Sequence, residues 1–314
     1  MNELTLVIPV YNAEKHLSEL FYNLSKLKDI KVVFVNDGSS DSSQALIEQW
    51  LSEGSDRGTS YYQKNKGVSS ARNMGLLHVK TKYVLFLDSD DLLFTENLDV
   101  AIKKIKESKV DVFLCEYKKT ASKCTLPDKN DIKIITHPVQ DYISGLLTDK
   151  VSLCSCVFSV AFLKREKISF EENIKYGEDQ LFLSQTLLKG NAIYLSGLQV
   201  LLYFNNPLSV MNTFSLSRMD VLKSLNIISD LIKGDPVLLK KMDSRYNREL
   251  VGIMTIYTKS HSLVNSFLFY TYNLRPMVRS NKDYIKMKDY VAIEYPYVYM
   301  SLYKAYRVLK NVIK

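Results

Sequence analysis

The chain has 314 residues, of which 46% are hydrophobic and 24% are charged, so it is long enough to bury a sizeable core, and its composition excludes a disordered protein. Its first residues lack a basic segment followed by an apolar one, and no apolar run reaches the roughly 18 residues of a membrane span, so we expect no signal peptide, no spanning helix and a cytoplasmic location. The net charge of +8 is unevenly placed, because residues 1–214 hold 25 Lys and Arg against 26 Asp and Glu, whereas residues 215–314 hold 17 against 8.

The first 120 residues alternate strand-like and helix-like patterns joined by short links. In chain order the pattern predicts strand 4–10, a helix through Leu17 and Leu27, strand 31–35, a helix around Ala45 to Trp50, strand 60–63, helix 68–78, a strand ending at Leu87, helix 95–106 and strand 111–117. This alternation is typical of an α/β fold, a mostly parallel sheet with right-handed crossovers and helices on both faces. It predicts one nucleotide-binding half over residues 1–117.

The strand that ends at Leu87 runs directly into Asp88-Ser89-Asp90-Asp91. Ligands bind beyond the carboxyl ends of strands in open α/β sheets, so we expect these side chains to face a ligand. Three carboxylates so close together repel one another unless a cation lies between them, and oxygen ligands suit Mg²⁺ or Mn²⁺. The alternative is an acidic turn before the helix that begins near Thr95, and this stretch by itself leaves both interpretations open.

Two other predicted strands end in polar or turn residues that would lie at the same edge of the sheet. The first ends in Pro9-Val-Tyr-Asn12, and the second ends in Asn36-Asp-Gly-Ser-Ser-Asp41. Asp37 follows a buried strand, where its carboxylate can accept hydrogen bonds from a nucleobase. The residues that follow it, Gly38 to Ser40, are also ordinary turn and cap residues, and for them the turn role is preferred.

The segment Asn65-Lys-Gly-Val-Ser-Ser-Ala-Arg-Asn73 combines a glycine-bearing turn with the start of a helix. A helix amino terminus next to cations favours phosphate through its exposed N–H groups and its dipole, so Lys66, Gly67 and Arg72 are candidate phosphate-binding residues. The segment contains neither a P-loop nor a dinucleotide-binding fingerprint, so another nucleotide-binding fold is required.

Together these motifs resemble glycosyltransferase family 2, inverting enzymes with the GT-A fold, of the bacterial surface-polysaccharide type. The resemblance covers about residues 1–210 and rests on four motifs in order, which are Ile8-Pro-Val-Tyr-Asn12, Val35-Asn-Asp-Gly-Ser-Ser-Asp41, Gly67 with Ala71-Arg-Asn73, and Phe86-Leu-Asp-Ser-Asp-Asp91. It implies a nucleotide-diphosphate-sugar donor, inversion at the anomeric carbon, and a divalent metal, Mn²⁺ or Mg²⁺, held by a D-x-D motif.

The resemblance also implies roles for single residues. Pro9, Tyr11 and Asp37 would line the nucleoside site, Arg72 would face the nucleotide, and Asp88 would contact the ribose or the metal. The candidate substrate-binding residues are, in full, Pro9, Tyr11, Asn12, Asp37, Lys66, Gly67, Arg72, Asp88 and Ser89. The candidate metal ligands are Asp90 and Asp88, whereas Asp91 is interpreted as an acid on the side of the following helix.

The segment Tyr176-Gly-Glu-Asp-Gln-Leu-Phe182 resembles the family's Glu-Asp pair before a hydrophobic helix. The resemblance implies that Asp179 is the catalytic base and that Glu178 orients the base or the acceptor. Independently, Glu178 and Asp179 lie at the start of a predicted helix, where the dipole favours ionised carboxylates and so suits a general base. The same position is also that of an ordinary acidic first turn.

One segment departs from the family pattern. Many relatives carry a Tyr-Arg pair before a Ser-containing loop, whereas this chain has Tyr203-Phe-Asn-Asn-Pro-Leu-Ser209, without the Arg. If that Arg helps to hold the diphosphate, Lys66, Arg72 or the basic carboxyl-terminal region must replace it. Residues 118–214 are expected to form the acceptor half of a catalytic domain over 1–214, with 118–133 as a loop over the site and 153–162 as a buried strand-like segment.

Residues 215–314 are predicted to form a separate basic, tyrosine-rich region with helices at 217–232, 235–259, 262–272 and 298–314. In the last helix, apolar residues from Val298 to Ile313 share one face, and Lys304, Arg307 and two further lysines share the other. This pattern favours an anionic membrane surface as partner, with the protein peripheral on the inner face of the cell membrane. The alternative is a helix that packs its apolar face on the catalytic domain. No nucleic-acid recognition motif accompanies the positive charge, so nucleic acid is not the expected partner. Helical appendages of this kind often form homodimers, so a second copy of the chain is a further candidate partner.

The sequence therefore predicts an inverting glycosyltransferase that moves a sugar from a UDP-sugar to a hydroxyl of a surface-glycan or lipid-linked glycan acceptor. Two alternatives belong to other classes. A sugar nucleotidyltransferase would show a Gly-rich loop where this chain has Pro9-Val-Tyr-Asn-Ala13. A non-catalytic nucleotide-sugar-binding subunit of a glycan-assembly complex would not need the complete set of acidic residues.

Overall fold

The computed structural model of the chain describes residues 3–53, 58–120, 125–128, 130–136, 139–143, 145, 147, 149–204, 214–280 and 285–312. The chain separates into two compact units, one made of residues 1–142 and 146–206 and the other of 143–145 and 207–314. The predicted boundary after residue 214 lies beside 205–213, outside the described residues, and stays a prediction.

The first unit is built on one nine-stranded sheet. Its strands are β1 (Leu4–Val10), β2 (Ile30–Asp37), β3 (Gly58–Gln63), β4 (Tyr83–Phe86), β5 (Leu92–Leu93), β6 (Val112–Thr120), β7 (Lys133–Thr136), β8 (Cys156–Ser159) and β9 (Ala192–Phe204). They follow the order β3-β2-β1-β4-β8-β6-β9-β5, and β7 pairs with β9. Strands β3, β2, β1 and β4 are parallel, whereas β8 runs antiparallel to both of its neighbours. The amino-terminal half is therefore the parallel sheet that the alternation predicts, and the rest of the sheet is mixed.

Helices cover both faces of this sheet, as predicted. The helices up to residue 206 are α1 (Glu14–Ser25), α2 (Ser43–Ser52), α3 (Val68–Leu77), α4 (Thr95–Glu107), α5 (Val139–Ile143), α6 (Val160–Arg165) and α7 (Glu178–Lys189). Alternate residues of β1 point to opposite layers, so Leu6 and Ile8 pack with α1, α2 and α4, whereas Val7 packs with α3, α6 and α7. Burial on both faces explains why the central strands are almost continuously apolar.

Two local predictions differ from the structure. The predicted loop 118–133 begins inside β6, which continues to Thr120 because it pairs with β9 as far as Phe204. The predicted strand-like segment 153–162 is a 3₁₀ turn, the short strand β8 and the start of α6. Both segments lie in the mixed half of the sheet, where pairing between distant strands outweighs the local pattern.

The second unit is helical, as predicted for the carboxyl-terminal region. Its helices are α8 (Asp220–Leu231), α9 (Pro236–Ser260), α10 (Leu263–Phe269), α11 (Met287–Glu294) and α12 (Pro296–Val312). A carboxylate oxygen of Asp235 accepts hydrogen bonds from the N–H groups of Val237 and Leu238, so a side-chain cap and Pro236 together set the start of α9. Among the described residues, none of the helices is long and apolar enough to cross a lipid bilayer.

Candidate active site

The carboxyl ends of β1 and β2 are tied together by the polar residues that follow them. Asn12 has a left-handed backbone (φ 49°) and donates its N–H to the Ser39 hydroxyl, and its side-chain oxygen accepts the N–H of Ser40. Pro9 is buried in β1, whereas the Tyr11 ring is exposed beside this junction. The structure therefore places an exposed aromatic ring at the edge where the nucleoside was predicted.

Asp37 organises the turn that precedes α3. One carboxylate oxygen accepts the Gln63 amide at 2.7 Å and the backbone N–H of Lys66 at 2.8 Å, and the other accepts the N–H of Gly67 at 2.8 Å. Gly67 has φ +93°, and a Cβ at Gly38 would meet the backbone nitrogen of Asn65 at 2.6 Å, so this turn depends on both glycines. The carboxylate thus holds the polypeptide, and its predicted bond to a nucleobase stays a prediction.

Arg72, buried on α3, forms ion pairs with two carboxylates from distant parts of the chain. Its Nη2 lies 2.7 Å from Oδ1 of Asp88, and its Nη1 lies 3.1 Å from Oε1 of Glu178. We call this arrangement the Arg72 bridge. Burial by itself would lower the pKa of Arg72, but the charges of Asp88 and Glu178 act in the opposite direction, and the net shift is upward. The guanidinium therefore stays charged and joins the end of β4 to the start of α7.

Aromatic rings pack against the Arg72 bridge. The Arg72 guanidinium lies 5.3 Å from the centre of the Phe170 ring, and Phe170 stacks on Phe182 of α7 at 4.1 Å. Asn73, the next residue of α3, accepts the backbone N–H of Phe170 and donates to its carbonyl. The rings and the amide fix the side of α3 that carries Arg72.

The three carboxylates after β4 share one turn. The N–H of Asp91 donates to the carbonyl of Asp88, so Ser89 and Asp90 form the corners of the turn. Asp91 is buried, and its carboxylate accepts the N–H of Phe204 at 3.3 Å. Burial raises the pKa of Tyr203, and the charges of Asp91, Asp90 and Asp88 raise it further, which places this phenol beside the acidic turn.

The acidic turn offers oxygen ligands to a cation. One carboxylate oxygen each of Asp88 and Asp91 and the sulfur of Cys154 lie within 4.8 Å of one another. Burial raises the pKa of the Cys154 thiol well above its usual value, so the sulfur stays protonated and is a poor ligand for a hard ion. The donors that suit Mg²⁺ or Mn²⁺ are therefore the carboxylates, of which Asp88 and Asp91 have oxygens close together, and the predicted role of Asp90 stays a prediction.

Glu178 and Asp179 begin α7, after Gly177 with a left-handed backbone (φ 82°). The side chain of Glu178 is 12% exposed and points to Arg72. Burial raises the pKa of Glu178 to about 7, and the adjacent Asp179 adds to the rise, whereas Arg72 opposes it. The two acids thus have different surroundings, because Glu178 is held in the Arg72 bridge and Asp179 lines a cavity.

That cavity has a volume of about 200 Å³. It lies between the ends of β6 and β9, the 3₁₀ turn before β8 and the first turn of α7. The residues that line it are Tyr117, Lys119, Tyr142, Val151, Ser152, Leu153, Asp179, Gln180, Leu183 and Tyr203. It combines a half-buried carboxylate, hydroxyl groups and aromatic rings, and a few convergent polar groups among apolar walls are typical of a small-molecule site.

We expect the contribution of Glu178 to the free energy of unfolding to fall as the pH rises from about 4 to about 7. Glu178 keeps its proton in the folded protein up to a pKa of about 7, whereas in the unfolded chain it loses it near pH 4.3, roughly the ordinary Glu value. Between the two values the folded state binds more protons, so its stability decreases by up to about 1.4 kcal/mol per pH unit from this group.

Glu178→Gln should remove this contribution, because the amide has no proton to lose. Urea unfolding of both proteins at several pH values measures the effect. The difference in unfolding free energy between the variant and the wild type should increase in favour of the variant up to about pH 7. Parallel pH curves for the two proteins would contradict the raised pKa.

The structure brings several predicted site residues together and adds others. Arg72, Asp88 and Glu178 are in direct contact, and Asp179 follows Glu178. Phe204, which follows Tyr203 where relatives carry the Arg, ends β9, and the loop after it, 205–213, lies outside the described residues. Sequence reasoning missed Lys119 and the cavity around it, because the only available signal was the length of β6, which depends on pairing with β9.

Comparisons with known proteins assign the amino-terminal part of the chain to a family. The family model described as Glycosyl transferase family 2 matches residues 5–169. Poly(ribitol-phosphate) beta-N-acetylglucosaminyltransferase TarS of Staphylococcus aureus (strain Mu50 / ATCC 700699) is 28% identical over 210 residues, which are 62% of this chain and 34% of TarS. The chain spans about a third or less of the length of the first curated relatives that it matches.

Solved structures show the same fold. The crystal structure of S. aureus TarS 1-349 in complex with UDP-GlcNAc matches with a TM-score of 0.63 at 21% identity, over 95% of this chain and 81% of that one. The mannosyltransferase PcManGT from Pyrobaculum calidifontis, in complex with GDP-Man and Mn2+, matches with a TM-score of 0.57 at 14% identity, over 96% and 86%. The predicted α/β architecture of the GT-A type is confirmed.

Proposed function

The chain belongs to glycosyltransferase family 2, and from this premise we propose that it transfers a sugar from a UDP-sugar to a hydroxyl of a surface-glycan or lipid-linked glycan acceptor, with inversion at the anomeric carbon. The observation that carries the proposal is the Arg72 bridge, which joins the acidic turn to the helix start that bears Asp179. A donor-binding turn and a base must lie in one site for a single displacement. The TarS complex with UDP-GlcNAc supports the choice of UDP.

In this proposal Asp179 is the general base. Its carboxylate takes the proton of the acceptor hydroxyl while that oxygen forms a bond to the anomeric carbon, and the bond from that carbon to the diphosphate oxygen breaks. UDP leaves with the electron pair. Glu178 positions the first turn of α7 through its ion pair with Arg72. Attack from the face opposite the leaving group accounts for inversion.

The donor is proposed to bind at the ends of β1, β2 and β4. The exposed Tyr11 ring offers a surface on which a base can stack. Asp37 holds the turn that carries Lys66, whose side chain is exposed at the start of α3. Asn12, Pro9, Gly67 and Ser89 complete the candidate set at this edge, and each remains a proposal.

A panel of nucleotide sugars tests the proposed reaction. The purified chain is incubated with each sugar and Mn²⁺, and released nucleotide is measured with and without a glycan acceptor. We expect slow release of UDP from one UDP-sugar, accelerated by acceptor. The absence of both UDP binding and UDP release across the panel would refute the transferase proposal.

We propose that the acidic turn holds a divalent metal, with Asp88 as a ligand and with Asp90 or Asp91 as the second carboxylate. When bound, Mg²⁺ or Mn²⁺ would neutralise charge on the diphosphate. The sequence motif favours Asp90, and the proximity of their oxygens favours Asp91 and Asp88. Comparing Asp90→Asn with Asp91→Asn distinguishes the two arrangements.

Asp88→Asn is expected to remove the contribution of the metal to UDP affinity. The amide oxygen can still accept the bond from Arg72, so the change is mainly one of charge. We expect Mn²⁺ to strengthen UDP binding to the wild type, and the variant to lose roughly tenfold or more of that gain, the scale of a charge-assisted contact. Calorimetric titration of UDP with and without Mn²⁺ measures it. Asp99→Asn, an exposed acid on α4, is the matched control, and an equal Mn²⁺ effect in Asp88→Asn and wild type would remove Asp88 as a ligand.

We also propose that α12 lies on an anionic membrane surface. Within the second unit the helix turns its basic side inward, since Lys304 donates to the carbonyl of His261 and Arg307 donates to that of Lys259 at 2.9 Å. These carbonyls lie at the carboxyl end of α9, where the helix dipole attracts cations. Leu302 and Leu309 are 63% and 60% exposed, so the apolar face points away from α9.

The charge of this region supports a lipid partner over an apolar protein surface. Residues 215–314 hold 17 Lys and Arg against 8 Asp and Glu, and no acidic residue follows Glu294. The double variant Leu302→Glu with Leu309→Glu should lose flotation with anionic liposomes. Lys103→Glu, which changes the net charge by the same two units on exposed α4, should retain it. Equal flotation of the wild type, the double variant and Lys103→Glu would refute the proposal. Sedimentation of the wild type and of the double variant measures their oligomeric state, and so tests whether the same face joins two copies.

A further inference from the structure

Lys119 is placed by strand register on one wall of the cavity. It is the Cα partner of Tyr203 in the parallel pair β6 and β9, and its Nζ lies 5.5 Å from the centre of the Tyr203 ring. Tyr117, two residues earlier on β6, meets the same ring edge-on with 6.0 Å between ring centres. Alternate residues of a strand share a face, so Tyr117, Lys119 and Tyr203 form one aromatic and cationic wall.

The neighbouring lysine of β6, Lys118, is already paired with a carboxylate. The Nζ of Lys118 lies 2.5 Å from Oδ1 of Asp128, and Asp128 is held in turn by Gln199 of β9. Among the described residues that line the cavity, Lys119 is the positively charged one. Arg72 is already paired with Asp88 and Glu178. Of these cations, Lys119 is therefore the one that faces the same space as Asp179.

We propose that Lys119 binds a phosphate group of the acceptor. The site would then select polyol or sugar acceptors that carry a phosphate beside the hydroxyl to be glycosylated. This inference rests on the proposed transfer reaction. Asp179 must reach the acceptor hydroxyl in the proposed reaction, so the acceptor is expected to occupy the cavity that Asp179 lines. Lys is a point charge that recognises phosphate without a fixed orientation.

The size and walls of the cavity agree with such an acceptor. Its volume of about 200 Å³ is below the roughly 300–1,000 Å³ of a pocket for a drug-sized ligand. One sugar or polyol unit is therefore the expected occupant. The rings of Tyr117 and Tyr203 offer apolar faces to its carbon chain, and the Ser152 and Gln180 side chains lie among the lining residues as partners for hydroxyl groups.

The test compares ribitol 5-phosphate with ribitol as acceptor probes, by calorimetric titration of the full chain in the presence of UDP and Mn²⁺. The proteins are wild type, Lys119→Gln, Lys119→Arg and Lys118→Gln. Wild type should bind the phosphate form about tenfold or more tightly, the scale of one charge-assisted contact. Lys119→Gln should bind both probes alike, Lys119→Arg should restore the preference, and Lys118→Gln, which removes the same charge one residue away, should keep it.

UDP affinity, measured separately, should be the same in all four proteins, and this readout separates the inference from the proposed function. Failure of every UDP-sugar to bind or react would sink the transferase proposal, whereas the phosphate preference is measured without turnover. The inference is overturned if wild type shows no preference for ribitol 5-phosphate, or if Lys119→Gln retains it. It is also overturned if Lys119→Gln weakens UDP binding and leaves the preference intact, because the lysine would then serve the donor.

Discussion

Asp179→Asn is expected to slow sugar transfer by about 10²–10⁴-fold, the usual contribution of a general base. The amide has nearly the shape of the carboxylate and can still accept the N–H of Gln180, which lies 2.7 Å from Oδ1. It cannot take a proton from the acceptor hydroxyl at neutral pH. The cavity and the start of α7 should therefore keep their structure while the chemical step is lost.

The measurement pairs initial rates of UDP release in the presence of acceptor with UDP affinity from calorimetry. Affinity should equal that of the wild type, and Asp99→Asn on exposed α4 controls for the change of charge. Near-normal turnover by Asp179→Asn would reject Asp179 as the base. If Glu178→Gln alone lost the full factor, the base would be Glu178, whose pKa of about 7 also suits proton transfer near neutrality.

At pH 8, above the pKa of about 7 of Glu178, Arg72→Met is expected to lower the free energy of unfolding by about 3–5 kcal/mol, the usual result of removing one partner of a buried ion pair. The guanidinium is buried and lies between Asp88 and Glu178. Its loss leaves the largely buried Glu178 carboxylate next to Asp179 without a counter-charge. The Phe170 ring also loses the cation above it. We expect transfer activity to be lost as well, because the start of α7 is no longer tied to the acidic turn.

Urea denaturation of wild type, Arg72→Met, Glu178→Gln and the double variant measures the coupling. The double variant should be more stable than the sum of the two single effects implies, by about 0.5–3 kcal/mol, since the neutral Gln no longer needs the cation. Arg72→Lys should recover part of the loss, because one ammonium group replaces only one of the two bonds. Strict additivity, or a loss below about 1 kcal/mol for Arg72→Met, the scale of an exposed ion pair, would show that the bridge contributes little.

The architecture of the first 117 residues follows closely from the sequence. The predicted strand 4–10 is β1, and the predicted helices 68–78 and 95–106 differ from α3 and α4 by one residue each. This half alternates strand and helix with short links, so β2 pairs with both of its neighbours in the chain, β1 and β3, and β4 extends the same parallel sheet by pairing with β1. Local periodicity then contains most of the information about the sheet.

The second half of the sheet could not be predicted in the same way. Strand β8 enters between β4 and β6, and β9 pairs with β6 across a register shift. These pairs join segments far apart in the chain, and a bulge changes which side chains share a face. The position of Lys119 beside Tyr203 is a consequence of that pairing, which explains why the cavity was missed.

The candidate site shows the same division. Motif spacing identified Asp37, Arg72, the acidic turn and the pair of acids at 178 and 179, and the family assignment that rests on them is confirmed. The contacts of Arg72 could not be predicted from the motifs, because its partners Asp88 and Glu178 lie 16 and 106 residues away in the chain. Its predicted position facing the nucleotide gave no indication that it joins two carboxylates.

The sequence by itself determined the fold class, the family and the acidic residues that converge on one edge of the sheet, since these depend on residue type and on short-range spacing. The tertiary structure decided which acid is buried and which faces a cavity, and it turned the apolar side of α12 outward. Burial and ion pairing depend on what the rest of the chain places around a residue. The surroundings set the pKa of Glu178 and the partners of Arg72, so only the folded chain shows that the two neighbouring acids differ in environment, and the roles proposed for them stay predictions.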